Sequence, residues 1–283
     1  MNEIAEKIIE KFLIMIAFST VAVLFLITFF IFKEGIPFLA EYGLFDFLSG
    51  TIWLPGENNY GILPMIAGSI CVPIGALVVG VPLGVGTAIF LVEFTNKRVR
   101  NIVKPMIELL AGIPSVVYGF IGIMVLAPWV RVHLGGSGLS IFTASIVLGI
   151  MILPTVISIT MDSLSALSPA YKEGSIALGA TNWQTVVMVL LPAAKSGILA
   201  GIILGMGRAI GETMAVIMIA GNALRIPSSI FDSVRTMTSN IALEMGYALG
   251  THRAALFANA VILFVFIMVL NSIAIIITKK RHK

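Results

Sequence analysis

The 283 residues are 58% hydrophobic and only 11% charged, with a mean hydropathy of +1.05. An average soluble domain carries about 25% charged residues, so this chain lacks the polar surface that keeps a globule in water. A soluble enzyme, a nucleic-acid binder and a secreted disulfide scaffold are thereby excluded, and an all-α protein crossing a bilayer several times is indicated.

The net charge of +4, the single cysteine (Cys71) and three scattered histidines give neither a disulfide nor a metal-ligand spacing. A helix needs about 20 apolar residues to cross the hydrocarbon layer. Runs that meet this fall near 12–32, 63–92, 106–130, 140–161, 196–222 and 255–277, which predicts six transmembrane helices.

The first run follows a charged start, Asn2–Lys11, exceeds a signal-peptide core and has no small-residue cleavage site after it. It reads as a retained anchor, so residues 1–62 form an anchor helix and an outside loop. The second run contains Pro64, Pro73 and Pro82, which predict kinks. Residues 63–278 form the core, and 279–283 a basic tail. The loops near 33–62 and 223–254 each have room for a short helix.

Orientation follows from lysine and arginine placement. One side of the six spans holds twelve: Lys7, Lys11, Lys97, Arg98, Arg100, Lys104, Lys172, Lys195, Lys279, Lys280, Arg281 and Lys283. The other holds five, Lys33, Arg131, Arg225, Arg235 and Arg253, and Arg208 remains inside the membrane. Both termini are therefore expected in the cytoplasm of a multi-pass plasma (inner) membrane protein.

The loop at about 162–195 has the devices of a built element. Ser168 is an N-cap, with Pro169 at the first helical position. Gly179 can supply a left-handed stop, and Thr181 with Gln184 forms a capping box. Pro192 is expected to end the second helix. An interfacial hairpin that merely joins two spans would carry the same caps. The run Glu173-Gly174-Ser175, Gly179 and Val189-Leu190-Leu191-Pro192, however, resembles the "EAA" signature of ABC importer permeases. Gly174 and Ser175 stand for its two alanines and Val189 for its isoleucine.

Further runs narrow the resemblance. They are Trp53-Leu-Pro55 with Tyr60–Ser69, Glu108–Gly119 containing Ile113-Pro-Ser115, and Arg208-Ala-Ile-Gly-Glu-Thr-Met-Ala-Val216 with Gly221-Asn222. Together, from about residue 50 onward, they resemble the PstC-type permeases of phosphate-specific ABC importers. Met214-Ala-Val216 departs from the Ala-Pro-Leu continuation typical of the PstA-type sister.

The resemblance implies a type I ABC importer permease fold, MetI-like, with the loop as a cytoplasmic coupling helix. It also implies a PstA-like partner permease, two copies of a PstB-like ABC ATPase and an external PstS-like phosphate-binding protein. The P-loop pattern is absent from the sequence. No cofactor is expected on this chain, then, and ATP and Mg would be used by the partner ATPase. A permease for molybdate or sulfate, or a PstA-like role, are neighbouring readings. An ion-coupled secondary transporter is a different class, which would leave the coupling loop without a purpose.

Arg208 and Glu212, four residues apart, would share one face of the fifth helix. They read either as a self-neutralising pair or as a path in which Arg208 presents its fork to phosphate oxygens. Glu108, expected in the third span, would bring the intramembrane charge to −1 (one arginine against two glutamates). A balancing arginine would then come from the partner permease. Ser115 and Thr213 read equally as structural or path-lining. Gly197, Gly201 and Gly205 form a stripe for close helix packing. Asn222 is expected to cap the fifth span, Cys71 to act as a small core residue, and Trp53 and Trp129 to lie at the membrane interface.

Overall fold

The computed structural model describes residues 3–280. Lys279 and Lys280 end the last helix, and the rest of the basic tail lies outside the described residues. Six segments are long and apolar enough to cross a membrane: Ile9–Tyr42, Leu63–Phe94, Ser115–His133, Ile141–Ser165, Asn182–Gly211 and Gly250–Ile273.

The first helix, α1 (Glu3–Tyr42), runs ten residues beyond the expected end of its span, through Pro37. Its far end stacks Phe38 on Tyr42 and sets Phe38 edge-on to Tyr60, so the loop expected from residue 33 begins as helix. There follow α2 (Leu44–Ser49) and a two-stranded hairpin, β1 (Trp53–Leu54) with β2 (Asn59–Tyr60). Next come α3 (Leu63–Ile89), α4 (Lys97–Ala111), α5 (Ser115–Ile121) and α6 (Ala127–His133). The centre of the bundle is α7 (Ile141–Ser165). Beyond it lie α8 (Pro169–Ala177), α9 (Asn182–Thr185), α10 (Leu191–Gly211) and α11 (Met214–Ile219). Last are α12 (Met237–Glu244) and α13 (Gly250–Lys280).

Helix α7 is the post on which the others pack. Of its apolar stretch 67% is buried, against 28% for the span of α3 and 22% for that of α10. In lipid the hydrophobic effect does not drive helices together, so close packing of small residues must. Gly75 of α3 faces Ser145, Gly80 faces the Gly149 carbonyl and Ile152, and Gly84 faces Val156. On the other side, Gly197 faces Ser163, Gly201 faces Ile159, and Gly205 faces Val156 and Ile152. A β-carbon at Gly75 or Gly197 would overlap the opposing serine side chain, so both helices touch α7 nearly backbone to side chain.

Three sequence expectations are corrected here. The third span is not one helix over 106–130. Strongly amphipathic α4 stops at Ala111, a break follows at Gly112–Pro114, and the apolar span starts at Ser115. Pro114, in extended backbone at ψ 138°, turns the chain between them.

Pro192 does not end its helix. A proline lacks an N–H, and its ring strikes the carbonyl four residues back, but a π-turn at Val186–Leu190 widens the helix just before it. Leu191 N–H donates to the Val186 carbonyl five residues back, so α9 runs on into α10. Pro128 is accommodated in the same way after the π-turn Gly122–Leu126, where Ala127 N–H donates to the Gly122 carbonyl.

Trp53 is not at a membrane interface but buried at 4% exposure, because its indole nitrogen has a partner in the fold. Trp53 Nε1 donates to Glu244 Oε2 at 2.8 Å, and His252 Nε2 meets the same oxygen at 2.8 Å. Arg235 Nη1 donates to Glu244 Oε1 at 2.6 Å, while Arg235 Nε reaches the Asn222 carbonyl at 3.3 Å. Around this cluster Phe38, Phe47, Tyr60, Met237 and Leu256 form a second core at the hairpin end. Removing one partner of such a buried pair costs about 3–5 kcal/mol. In the neighbouring loop Ser228 N–H, Ser228 Oγ and Ser229 N–H all donate to Asp232 Oδ2. These bonds, the Ser228 backbone bond foremost, hold the Asp232 carboxyl below the usual carboxylate range.

The close approach of α10 to α7 is testable by thermal unfolding of the solubilised protein. Gly197→Ala should destabilise it by about 1–3 kcal/mol through overpacking, and adding Ser163→Gly should restore most of the loss. A double variant no more stable than the single one would contradict the packing described.

Candidate functional site: two helix breaks and an exposed loop

Because α10 runs antiparallel to α7, its glycines give the depth of Arg208. Gly205 packs at Val156 and Ile152, close to the middle of Ile141–Ser165. Arg208 is three residues further on, a rise of about 4.5 Å, and so lies near mid-depth. Its side chain is half-buried, and among the described residues it makes no hydrogen bond and no ion pair.

The Arg208–Glu212 pairing is not formed, for a local reason. Helix α10 ends at Gly211, and Glu212 has extended backbone (φ −69°, ψ 125°), so the two side chains no longer share a helix face. Instead Glu212 Oε1 accepts from Ala215 N–H at 3.1 Å and caps the first turn of α11. Thr238 Oγ1 from α12 donates to the Glu212 carbonyl at 3.3 Å, and Thr213 Oγ1 donates to the Gly211 carbonyl at 3.2 Å. Asn222, left-handed at φ 54°, donates from Nδ2 to the Ile217 carbonyl at 2.7 Å and closes the other end of α11.

This second break faces the first. Gly119 of α5 packs against Ala215 and Met218 of α11, so the helix that follows Gly112–Pro114 lies against the one that follows Glu212–Thr213. Tyr118 Oη donates to the Leu110 carbonyl at 2.9 Å, tying the two sides of the first break. Ser115 opens α5 and is half-buried. Non-helical backbone at membrane depth is tolerated only where protein or a water-filled cavity surrounds it.

Glu108 is not part of this group and is corrected here. It sits on α4, exposed, four residues after Lys104, with Nζ of that lysine 4.0 Å from Oε1. Lys104 also binds Asp162 at 2.9 Å. The carboxylate therefore lies on an exposed helix face, beside a lysine it shares with Asp162, and adds no charge to the group around Arg208. The signal was in the sequence: Lys104 and Glu108 are an i,i+4 pair, which an apolar window drawn from residue 106 cuts in half.

At the opposite end from the hairpin, residues 166–181 make a stiff element held close to the bundle. Ser168 Oγ accepts from Ala170 N–H, Gly179 has φ 86°, and both bonds of the Thr181–Gln184 capping box are present. The sequence did not reveal what anchors it. Lys172 Nζ meets Glu93 Oε2 at 2.6 Å, linking α8 to the end of the second span. Ser175 Oγ and Thr185 Oγ1 lie 3.0 Å apart. Glu173, Gly174 and Gly179 are exposed, Leu191 packs inward beside Ala194, and Pro192 is exposed. The tip is apolar: Leu178 is 90% exposed and Trp183 64%.

Known proteins match this architecture. The chain is 43% identical over 240 residues to the "probable ABC transporter permease protein YqgH" of Bacillus subtilis, covering 83% of this chain and 76% of that one. It is 35% identical over 259 residues to the "phosphate transport system permease protein PstC" of Pasteurella multocida, covering 84% and 81%. The protein of the same description from Mesorhizobium japonicum is 36% identical over 257 residues, covering 83% and 78%. Among solved structures, the fold matches a bacterial ABC transporter that imports the acidic polysaccharide alginate, with a TM-score of 0.67, 15% identity and all of both chains covered. It also matches the inward-facing MetNI methionine ABC transporter, with a TM-score of 0.58, 20% identity and 78% and 94% coverage. Residues 80–283 fit the family described as "binding-protein-dependent transport system inner membrane component", and the chain belongs to that family.

Proposed function

We propose that this chain is the PstC-type permease subunit of an ATP-driven importer of inorganic phosphate. The observation that carries the reading is Arg208, a cation near mid-depth with no carboxylate partner, where two broken helices meet. A charge at the bilayer centre costs about 2.5–3.5 kcal/mol on insertion scales. A cation at that depth without a counter-ion among the described residues suits a site whose counter-ion is the cargo. The guanidinium fork fits two phosphate oxygens at once, and Glu108, exposed on α4 beside Lys104, is not among its surroundings. The relatives named as phosphate transport permeases support the same cargo.

Arg208 is only half-buried among the described residues, which suits a path shared with a PstA-like permease. The exposed tip around Leu178 and Trp183, on a helix fastened by Lys172–Glu93, suits docking on a PstB-like ATPase. Two such ATPases would use ATP and Mg, and this chain would bind no cofactor. The lysine and arginine distribution supports a cytoplasmic position for that tip and both termini. The hairpin end then faces a PstS-like phosphate-binding protein outside. Movement of the ATPases would pass from α8 across the turn at Gly179 into the continuous helix Asn182–Gly211, and so to the break at Glu212.

Two variants test this in the assembled complex. Arg208→Gln should lower phosphate uptake at least about tenfold, the loss expected for a contact to a charged group of about 1.5–3 kcal/mol, while the complex still assembles. Near-normal uptake would overturn the role of Arg208. Leu178→Asp should leave the melting temperature of the permease unchanged yet sharply reduce co-purification of the ATPase. Full retention of the ATPase with normal uptake would overturn the docking assignment.

A further inference from the structure

Helix α4 leaves a polar face that the reading above does not use. Its residues 100–107 run alongside the end of α7: Arg100 Nη2 donates to Ser165 Oγ at 2.5 Å, Lys104 binds Asp162, and Ile107 packs in the cluster with Ile157 and Met161. The helix therefore stands beside α7 and leads from the loop end up to the break below Arg208. Lys97, Arg100, Asn101, Lys104, Pro105 and Glu108 recur at i, i+3, i+4, i+7, i+8 and i+11, one side of the helix, and line a half-open groove of about 490 Å³.

The charges in this groove do not cancel. Lys104 is shared by Asp162 and Glu108, so Lys97, Arg100 and Lys104 face two carboxylates and leave a net charge of +1. Lys97 has no ion-pair partner among the described residues, and Arg100 gives one nitrogen to a neutral serine. Two cations one turn apart, neither in an ion pair among the described residues, match the reach of one phosphate group.

We propose that this groove is a second phosphate-group site, formed by Lys97 and Arg100 and separate from Arg208. Two sources carry that chemistry: inorganic phosphate on its way out after Arg208, and the headgroup of an anionic phospholipid in the adjoining leaflet. Only the first source rests on the transport reading given above.

The test compares the whole complex carrying Lys97→Gln/Arg100→Gln with the unaltered complex, in two arms. The first is equilibrium binding of radiolabelled inorganic phosphate in detergent. The second is retention of phosphatidylglycerol, read by native mass spectrometry after reconstitution in phosphatidylcholine with added phosphatidylglycerol. Loss of a phosphate site that Arg208→Gln retains supports the groove as a station for free phosphate. A fall in retained phosphatidylglycerol of about thirtyfold, the worth of two cations near a headgroup, supports the lipid source. No change in either arm overturns the proposal. Should the double variant fail to assemble, Lys97→Gln alone, at an exposed and unpaired position, gives the same comparison. Normal uptake by Arg208→Gln would sink the transport reading without altering either binding measurement.

Discussion

The structure depends on how closely α3 and α10 approach α7. Lipid tails are as apolar as leucine, so helices in a bilayer hold together only where their surfaces fit. The glycines at 75, 80 and 84 on one helix and 197, 201 and 205 on the other make that fit with Ser145, Ile152, Val156, Ile159 and Ser163. Two consequences follow. The register of α10 on α7 fixes the depth of Arg208, and the position of α3 fixes Glu93, to which Lys172 ties the exposed loop. The candidate path and the candidate docking element are thus set by the same contacts.

Backbone hydrogen bonding explains the remaining shape. Inside a membrane each carbonyl and N–H must find a partner, and three of the prolines answer that in two ways, while Pro37, Pro73, Pro82, Pro105 and Pro154 sit inside continuous helices. At Pro128 and Pro192 a π-turn absorbs the missing bond and the helix continues. At Pro114 the helix breaks instead, and Tyr118 bridges the gap to Leu110. Glu212 does for its own break what a serine or aspartate does at a soluble helix start, accepting from the third N–H beyond. The carboxylate is occupied by the backbone, and Arg208 is left without it.

What could be read from the sequence was what is local. Ser168, Gly179 and the Thr181–Gln184 box lie within seventeen residues and act on their own neighbours, so spacing alone foretold them. The six spans were visible because length and apolarity suffice. Their interruptions were not, because hydropathy does not distinguish a continuous helix from one broken at Gly112–Pro114 or after Gly211. Glu108 was misplaced for that reason. The Trp53–Glu244 contact joins residues 191 apart, and no pattern in either loop announces it. Lys172–Glu93 is hidden in the same way, across 79 residues.

The account describes a subunit whose cargo is an oxyanion met by a fixed arginine, and whose motion comes from nucleotide hydrolysed on other chains. The most direct measurement is uptake of radiolabelled phosphate by proteoliposomes containing the complete complex, with ATP supplied to the loop side. The account predicts uptake that requires ATP, survives collapse of the proton gradient and is not displaced by excess sulfate or molybdate. Uptake that proceeds without ATP and stops when the gradient collapses would contradict it.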